Sequence, residues 1–409
     1  MRCPAYGVRR TANDRADRTA GNIFTRYAVR CALCALAVVG GLSSADCVGE
    51  AQPGAETIRV AVVRDHPEVT LRVAGRFRLM GPNPGAPLQE GRHLLPMVVR
   101  AVPDGLALGG DVLPQTRVRI EPTHEASIIL NGTRLRGALE ITRQENLTLL
   151  VVNAVSLEEY LRGVLSKEAP DWWPQEALKA IAIAARTYAW YWRMAKANDP
   201  YDVAGDVMSQ EYGGRSAEKR ATTRAVQATE GMLLTFQGAV FPAFYHSTCG
   251  GMTEHARVMG AYDVEPLRGG VRCRWCSASP FFSWRQRLTK ADWAWALSKS
   301  AFGPVGAVLD VRVTKRTPAG RVAQLVVTGA QRTVTLSGFD VRSVFGFERI
   351  RSPWFAVEPD GDAFILTGRG WGHGVGMCQW GAAGLARLGM NAEEILAVYY
   401  PGAELAHAS

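Results

Sequence analysis

The stretch from residue 57 to residue 153 constrains the fold most, because turn residues divide it into short apolar or alternating runs. Runs of this length that are rich in Val, Ile and Leu and bounded by Gly, Pro or Asn are typical of β-strands. Five such runs are IRVAVV (58–63), VTLRVAG (69–75), RVRIEP (117–122), ASIILNG (126–132) and LTLLVVN (147–153). The sequence therefore predicts a β-rich N-terminal module over 57–153.

Helix signals follow this module. Ser156 and Glu159 have the spacing of a capping box, and apolar residues follow at helical intervals. Pro170 must end that helix close to Glu168, and Pro174 is placed to open a second helix.

Strand signals return after residue 230, and a helix followed by strands at about 285–350 indicates an inserted subdomain. The sequence as a whole predicts an α+β fold. In it the β-rich N-terminal module precedes a mixed α/β region (154–409) with an inserted β-containing subdomain.

The first 45 residues have the pattern of an export signal. Seven arginines and two aspartates accompany the apolar segment 31–42 (CALCALAVVGGL), and the small residues 43–45 suit cleavage. An uncleaved membrane anchor is the alternative, but this apolar segment is too short to span a bilayer. We therefore expect a signal peptide (1–45), a linker (46–56) and no stable membrane span after cleavage.

The charge of the chain argues against a nucleic-acid partner. The formal net charge of +9 falls to +4 without residues 1–45, which contribute +5. That surplus suits contact with an anionic polymer such as a cell wall, but it is too small for a nucleic-acid footprint. No Lys/Arg-rich run with interleaved aromatic residues occurs in the sequence.

Glu168 lies in the segment GVLSKEAPDWWP (163–174), at the predicted end of a helix. The negative end of the helix dipole disfavours a carboxylate there, and Trp172 and Trp173 can supply apolar cover that raises its pKa further. An acid that keeps its proton at neutral pH can donate it to a glycosidic oxygen, and neighbouring indoles suit stacking on sugar rings. The alternative is a solvated glutamate beside two core tryptophans.

A second group of residues has metal-site chemistry. His246 precedes Cys249 by three residues, and the pair Cys273-x-x-Cys276 and then Cys378 follow. Thiolates and imidazoles are ligands of tetrahedral zinc, although the spacing here is irregular. In an oxidising compartment Cys273 and Cys276 can instead form a disulfide, or either can pair with Cys249. Plainly buried cysteines are a third interpretation.

A glycine-dense segment, GRGWGHGVGMCQWG (368–381), follows a predicted strand and precedes a predicted helix. Its spacing matches neither GxGxxG nor the P-loop pattern, which argues against a nucleotide-binding loop. Alternating glycines let a backbone pass close to another group, here the floor of a site or a sugar, and leave His373 accessible. A purely structural bulge is the alternative.

Several long motifs in a fixed order are similar to those of one known family. They are LEEYLRGVLSKEAPDWWPQEALKAIAIAARTYA (157–189), MSQEYGG (208–214), FYHSTCGGMTE (244–254), GRGWGHGVGMCQWGAAGLA (368–386) and EILAVYYPGAEL (394–405). With them the chain resembles the stage II sporulation protein D (SpoIID) family from about residue 57 to its end. The resemblance implies a SpoIID-like catalytic region over 154–409.

The resemblance implies a lytic transglycosylase that acts on peptidoglycan glycan strands stripped of their stem peptides. The family's catalytic glutamate falls on Glu168, which would protonate the glycosidic oxygen between N-acetylmuramic acid and N-acetylglucosamine. It would then accept the proton of the C6 hydroxyl, which gives a 1,6-anhydro end. The other residues expected to line the site are Trp172, Trp173, Arg186, Gln210, Tyr212, His246, Ser247, His373 and Gln379.

The resemblance also implies a zinc ion, structural or substrate-orienting, near the site. Its expected ligands are Cys249, Cys276 and Cys378, with Cys273 or His246 in support. The alternative function is that of a non-catalytic wall-binding protein that enhances an N-acetylmuramoyl-L-alanine amidase. A zinc-dependent hydrolase is a third candidate, but the sequence has no HExxH motif. In each case we expect an exported protein of the periplasm or cell wall.

Overall fold

The computed structural model describes residues 57–408, apart from residues 84, 124–125 and 207–208. The predicted signal peptide and linker lie outside the described residues. The chain divides into two compact units. The small unit is Trp284–Gly368, and the large unit consists of the other described residues, up to Ser283 and from Arg369.

The large unit begins with a sheet whose strands run from residue 57 to residue 156. Its first ten strands are β1 (Thr57–His66), β2 (Glu68–Met80), β3 (Gln89–Val102), β4 (Gly105–Leu108), β5 (Asp111–Leu113), β6 (Arg117–Pro122), β7 (Ser127–Leu130), β8 (Thr133–Leu135), β9 (Ala138–Arg143) and β10 (Leu149–Ser156). Their main order in the sheet is β1-β10-β9-β6-β2-β3-β4-β5, and β7 pairs with β2 and β8. Each of the five predicted runs coincides with one of these strands, although the run 126–132 extends past both ends of β7 and the run 147–153 begins two residues before β10.

Alternation of side chains explains why these runs form one sheet. In β2 the residues Val69, Leu71 and Val73 are buried and the residues between them are exposed. That period of two places one apolar face against the core and leaves the other in water. Asn131 and Gly132, both with positive φ, turn the chain between β7 and β8.

Two helices follow the sheet and carry the motif around Glu168. They are α1 (Leu157–Glu168) and α2 (Gln175–Ala195). The Ser156 side chain caps α1 by accepting a hydrogen bond from the backbone N–H of Glu159. As predicted, α1 ends at Glu168, two residues before Pro170, and α2 begins directly after Pro174. The α+β class predicted from the sequence is confirmed.

Short elements connect α2 to the small unit. They are β11 (Val203–Ala204), α3 (Gly214–Ala217), α4 (Arg220–Ala228), β12 (Met232–Phe236), β13 (Ala239–Val240) and β14 (Tyr245–His246). β11 adds to the large sheet beside β1, and β12 pairs with β13.

The small unit is built from two three-stranded sheets and two helices. Its elements are β15 (Ser283–Thr289), α5 (Lys290–Ser298), β16 (Val308–Arg316), β17 (Val322–Gly329), β18 (Thr333–Leu336), α6 (Gly338–Phe345), β19 (Phe355–Asp360) and β20 (Ala363–Arg369). The strand orders are β15-β20-β19 and β16-β17-β18. Capping boxes at Thr289 and Ser337 begin the two helices, which pack on a core of their own around Trp293 and Leu325.

The chain then returns to the large unit. Its last elements are β21 (Met377–Cys378), α7 (Gln379–Arg387), α8 (Ala392–Tyr399) and β22 (Glu404–His407). β22 pairs with β12, and β21 runs parallel to β14, with His246 opposite Cys378. Among the described residues, no helix combines the length and the apolar character needed to cross a membrane.

Candidate active site and cysteine cluster

Glu168 is the last residue of α1, and its carboxyl group is held by two hydrogen-bond donors from other segments. The backbone N–H of Glu211 donates to Oε1 at 3.0 Å, and the side-chain amide of Gln379, the first residue of α7, donates to Oε2 at 3.1 Å. Glu168 remains partly exposed. The carboxyl is therefore fixed in orientation, on a residue that keeps part of its surface exposed.

The surroundings of Glu168 favour its protonated form. Burial raises the pKa of the carboxyl from 4.5 to about 7, although the hydrogen bonds from Glu211 and Gln379 act in the opposite direction. The dominant cause is therefore loss of solvent around the carboxyl, which is one of the two causes that the sequence predicts. A carboxyl with this pKa can both release and accept a proton near neutral pH.

A buried polar network lies behind Glu168. The amide of Gln210 donates to the hydroxyl of Tyr245 at 2.8 Å and its oxygen accepts from the hydroxyl of Tyr160 at 3.0 Å. Burial raises the pKa of both tyrosines well above the usual value, and Glu168 adds to this effect. Both hydroxyls thus stay neutral beside the carboxyl. The Gln210 side chain therefore holds the hydroxyl groups of Tyr160 and Tyr245 in place near Glu168.

Three indoles form a cluster next to Gln379. Trp172, Trp173 and Trp380 meet edge to face, with ring centroids 5.2–6.4 Å apart. Trp173 is buried, whereas 62% of Trp172 is exposed. The guanidinium of Arg387 lies 5.8 Å from the centre of the Trp172 ring. Trp172 therefore presents an aromatic surface to solvent, supported from below by Trp173 and Trp380.

The predicted residues His246, Ser247 and His373 lie on the paired segments around β14 and β21. The His373 ring accepts a hydrogen bond from Val375 N–H through Nδ1 and donates through Nε2 to the carbonyl of Tyr245 at 2.9 Å. The His246 ring lies 5.4 Å from it and is buried, with Nδ1 3.0 Å from the carbonyl of Val375. The Ser247 carbonyl accepts from the N–H of Trp380. These residues fix the segment that carries Tyr245.

The alternating glycines of 368–376 allow this pairing. A Cβ at Gly372 would lie 2.7 Å from the Cβ of His246, and one at Gly376 would lie 1.8 Å from the carbonyl oxygen of Phe244. Both glycines also have positive φ. The group that this backbone approaches so closely is thus the neighbouring 244–250 segment.

Four cysteines come together beside this pairing. Cys249, Cys273, Cys276 and Cys378 are all buried, and their sulfur atoms lie within 4.8 Å of one another. None of them forms a disulfide. The sulfurs of Cys249 and Cys276 are 3.5 Å apart, far from the length of about 2.05 Å that a disulfide requires.

The geometry of this cysteine cluster fits a zinc ion. Zn–S bonds of about 2.3 Å in a tetrahedron put the sulfurs about 3.8 Å apart, close to the separation seen here. The Cys378 sulfur accepts hydrogen bonds from the backbone N–H groups of Cys249 and Gly381, and the Cys249 sulfur accepts one from Gly251, each at 3.3 Å. Such donors stabilise thiolate ligands. Cys273 completes the set, and His246 lies outside it.

Two of the residues expected to line the site have polar groups whose partners are residues other than Glu168. Arg186 is buried and forms a two-pronged ion pair with Glu158 at 2.6 and 2.8 Å. Glu158 lies in the first turn of α1 and Glu168 ends the helix, about 15 Å away along its axis. The Tyr212 hydroxyl donates to the side chain of Asn153 on β10 at 3.0 Å. Both side chains therefore hold elements together within the fold.

Sequence reasoning missed three contributors to the site. Glu211 acts through its backbone N–H, which no pattern of side chains can indicate. Tyr245 and Trp380 lie directly beside the predicted His246 and Gln379, inside motifs that the sequence singles out. The aromatic residues next to His246 and Gln379 in those motifs could have indicated Tyr245 and Trp380 as members of the site.

Comparisons with known proteins agree on one family. The model described as "Stage II sporulation protein" matches residues 145–236, and a model described as a domain of unknown function matches residues 276–376. An uncharacterised protein of Brachyspira hyodysenteriae is 33% identical over 282 residues, which are 68% of this chain and 73% of that protein.

Two relatives from Bacillus subtilis carry names. Stage II sporulation protein D is 31% identical over 276 residues, which cover 63% of this chain and 76% of that protein. The protein named amidase enhancer is 27% identical over 288 residues, which cover 60% of this chain and 40% of that protein.

Proposed function

The chain belongs to the stage II sporulation protein D family, and on that premise we propose that it is a cell-wall protein that cleaves peptidoglycan glycan strands as a lytic transglycosylase. The observation that carries the proposal is the Glu168 carboxyl, with its pKa of about 7, its two fixed hydrogen-bond donors and its partial exposure. It has the properties of a group that serves as acid and then as base.

The reaction begins with the protonated carboxyl. Glu168 donates its proton to the glycosidic oxygen as the bond from that oxygen to C1 of N-acetylmuramic acid breaks. The carboxylate that results is stabilised by the N–H of Glu211 and the amide of Gln379. It then takes the proton of the C6 hydroxyl as the C6 oxygen bonds to C1. The product is a 1,6-anhydro ring, the proton returns to Glu168, and no water is consumed.

One carboxyl therefore serves both steps, unlike the two carboxylates of most glycosidases. Glu211 is the neighbouring acid, but its carboxylate forms an ion pair with Lys167 at 2.6 Å. The exposed face of Trp172 is suited to stack on a sugar ring next to the bond that is cleaved, since indoles combine an apolar surface with little conformational freedom.

The cysteine cluster supports the site from within the fold. A zinc ion held by Cys249, Cys273, Cys276 and Cys378 would tie the segment after β14 to the start of α7, which carries Gln379. Four protein ligands fill a tetrahedral site, so the ion would contribute stability and no open coordination position.

A second candidate function is the enhancement of a cell-wall amidase without cleavage of glycan. It is favoured by the similarity to the amidase enhancer of Bacillus subtilis. In that case the exported protein would bind the wall and activate a partner enzyme, and Glu168 would have no chemical role.

The test is incubation of the protein with glycan strands freed of peptides, with the products identified by mass spectrometry. Glu168→Gln should reduce the yield of anhydro-ended products by a factor of about 10²–10⁴, the usual contribution of a general acid. Glu230→Gln, at an exposed position, is the matched control and should cleave normally.

The remaining outcomes separate the candidates. Products that have gained water would identify a hydrolase and contradict the transglycosylase. If the folded protein cleaves nothing, but increases amidase activity equally well with and without Glu168→Gln, the enhancer function replaces our proposal.

A further inference from the structure

Two tyrosine hydroxyls contact the side-chain amide of Gln210, and the orientation of that amide determines which of them donates. The amide nitrogen lies 3.1 Å from the backbone carbonyl of Ala185 and 2.8 Å from the hydroxyl of Tyr245. The amide oxygen lies 3.0 Å from the hydroxyl of Tyr160. A carbonyl can only accept, so the nitrogen must be the atom that faces Ala185. The directions of the other two hydrogen bonds follow from this.

The two hydroxyls consequently have different roles. The amide oxygen of Gln210 carries no hydrogen, so the Tyr160 hydroxyl must donate to it and uses its proton inside the protein. The amide nitrogen donates to the Tyr245 oxygen, which leaves the Tyr245 hydroxyl its own proton to donate. Among the described residues, no acceptor for that proton lies within hydrogen-bond distance. The proton is thus available to water or to a ligand.

The positions of the two tyrosines agree with this difference. Tyr160 is fully buried, whereas Tyr245, like Glu168, is a residue that keeps part of its surface exposed. Burial raises the pKa of Tyr245 well above its usual value, and the nearby negative charge of Glu168 adds to this effect. The backbone carbonyl of Tyr245 is held by the His373 ring at 2.9 Å. Tyr245 is therefore a fixed, neutral donor close to the acid.

The chemistry of a glycan strand without peptides offers three kinds of acceptor to such a donor. Hydroxyl groups both donate and accept, so a group that can only donate does not select them. The lactyl carboxylate of muramic acid would place a second negative charge close to Glu168, and like charges at that distance oppose each other. The carbonyl of an N-acetyl group is neutral and accepts without donating. It is the acceptor that matches the Tyr245 hydroxyl.

We propose that the Tyr245 hydroxyl donates a hydrogen bond to the carbonyl oxygen of an N-acetyl group of the glycan, next to the bond on which Glu168 acts. This inference rests on the proposed function for the identity of the polymer. It makes Tyr245 a substrate-binding residue that selects acetylated sugars, and Gln210 the residue that positions its proton. An ammonium group in place of the acetamide has only donors, so it cannot accept from Tyr245.

The experiment measures the Kd of soluble, peptide-free glycan fragments by calorimetry at about pH 6, below the pKa of an amino group. The fragments are compared before and after chemical removal of their N-acetyl groups, and re-acetylated fragments should regain the original affinity. All proteins carry Glu168→Gln, which prevents cleavage and removes the attraction of a carboxylate for ammonium groups. The parent should prefer acetylated fragments at least about tenfold, and Tyr245→Phe should reduce this preference by a factor of about five to ten.

The matched control is Tyr160→Phe, which removes the other hydroxyl that contacts Gln210. It should keep the preference of the parent, because the proton of Tyr160 is used inside the protein. Partial unfolding weakens the binding of both kinds of fragment alike, so it leaves the preference unchanged. An equal preference in Tyr245→Phe and the parent would overturn the inference, and so would a folded parent that does not bind the acetylated fragments.

This test and that of the proposed activity can fail separately, because binding is measured without cleavage. If the protein cleaved no glycan but lost its preference for acetylated fragments in Tyr245→Phe, the proposed activity would be wrong and this inference would stand.

Discussion

Cys378 and Gln379 are neighbours in the sequence, yet they belong to two regions with opposite properties. The Cys378 side chain lies in the buried cysteine cluster, whereas Gln379 reaches the carboxyl of Glu168, a partly exposed residue. Both regions contain residue types capable of chemistry. Only the second has its reactive side chain on a partly exposed residue, so accessibility, rather than residue type, distinguishes the two regions.

The two regions also differ in what their hydrogen bonds do. In the cysteine cluster, backbone N–H groups donate to the sulfur atoms of Cys249 and Cys378 and favour their thiolate forms. At Glu168, two donors stabilise the carboxylate against the effect of burial, which leaves the pKa at about 7. The first arrangement suits a single state, and the second suits a group that changes its protonation state.

The largest effect should come from breaking the cysteine cluster. Cys378→Ser should lower the zinc content from about one ion per chain to nearly none. It should also lower the free energy of unfolding by about 5 kcal/mol or more, because structural zinc contributes directly to folding. Metal analysis of the purified protein and denaturant unfolding measure the two changes.

Ser277→Ala, at an exposed position close to Cys276, is the control and should retain both zinc and stability. The prediction would fail if the native protein contained disulfides among Cys249, Cys273, Cys276 and Cys378 and no metal. Counting thiols after denaturation in the presence of a chelator distinguishes these states.

A smaller effect on stability should follow from Arg186→Gln. The substitution leaves the Glu158 carboxylate without its buried partner, which typically costs about 3–5 kcal/mol of folding free energy. Because Arg186 is not near Glu168, the folded fraction should cleave glycan at the normal rate. Unfolding by urea and cleavage per folded molecule test the two statements, with Arg224→Gln at an exposed position of α4 as control. If the variant were as stable as the parent but had lost its cleavage activity, Arg186 would have a role in cleavage, and our placement of it outside the site would be wrong.

Local signals made much of the fold predictable. The alternation of apolar and polar residues predicted strand β2. Pro170 and Pro174 predicted where α1 ends and where α2 begins. β3 was not predictable in this way, because Gly91 and Pro96 interrupt it and few of its residues are buried. Its place beside β2 depends on long-range pairing with register shifts.

The sequence predicted which residue types form the site better than it predicted which of them contact each other. Glu168 and Gln379 are 211 residues apart, and their hydrogen bond depends on how the chain returns from the small unit to β21. The choice between Cys273 and His246 as the fourth member of the cluster likewise depends on the pairing of β14 with β21. The partner of Arg186 is fixed by packing of α1 on α2, which no local pattern contains.

The smallest and most specific effect should be a change in pH dependence at Glu168. Cleavage requires the protonated carboxyl, so kcat/KM should be level below pH 7 and fall tenfold per unit above it. Gln379→Leu removes a donor that favours the carboxylate, so the pKa should rise and the fall should begin about one pH unit higher. Gln227→Leu at an exposed position should leave the profile unchanged. If the pH profile of Gln379→Leu did not move, or moved to lower pH, then Gln379 would not lower the pKa of Glu168. Gln379 would then have only a structural role, as Cys378 has.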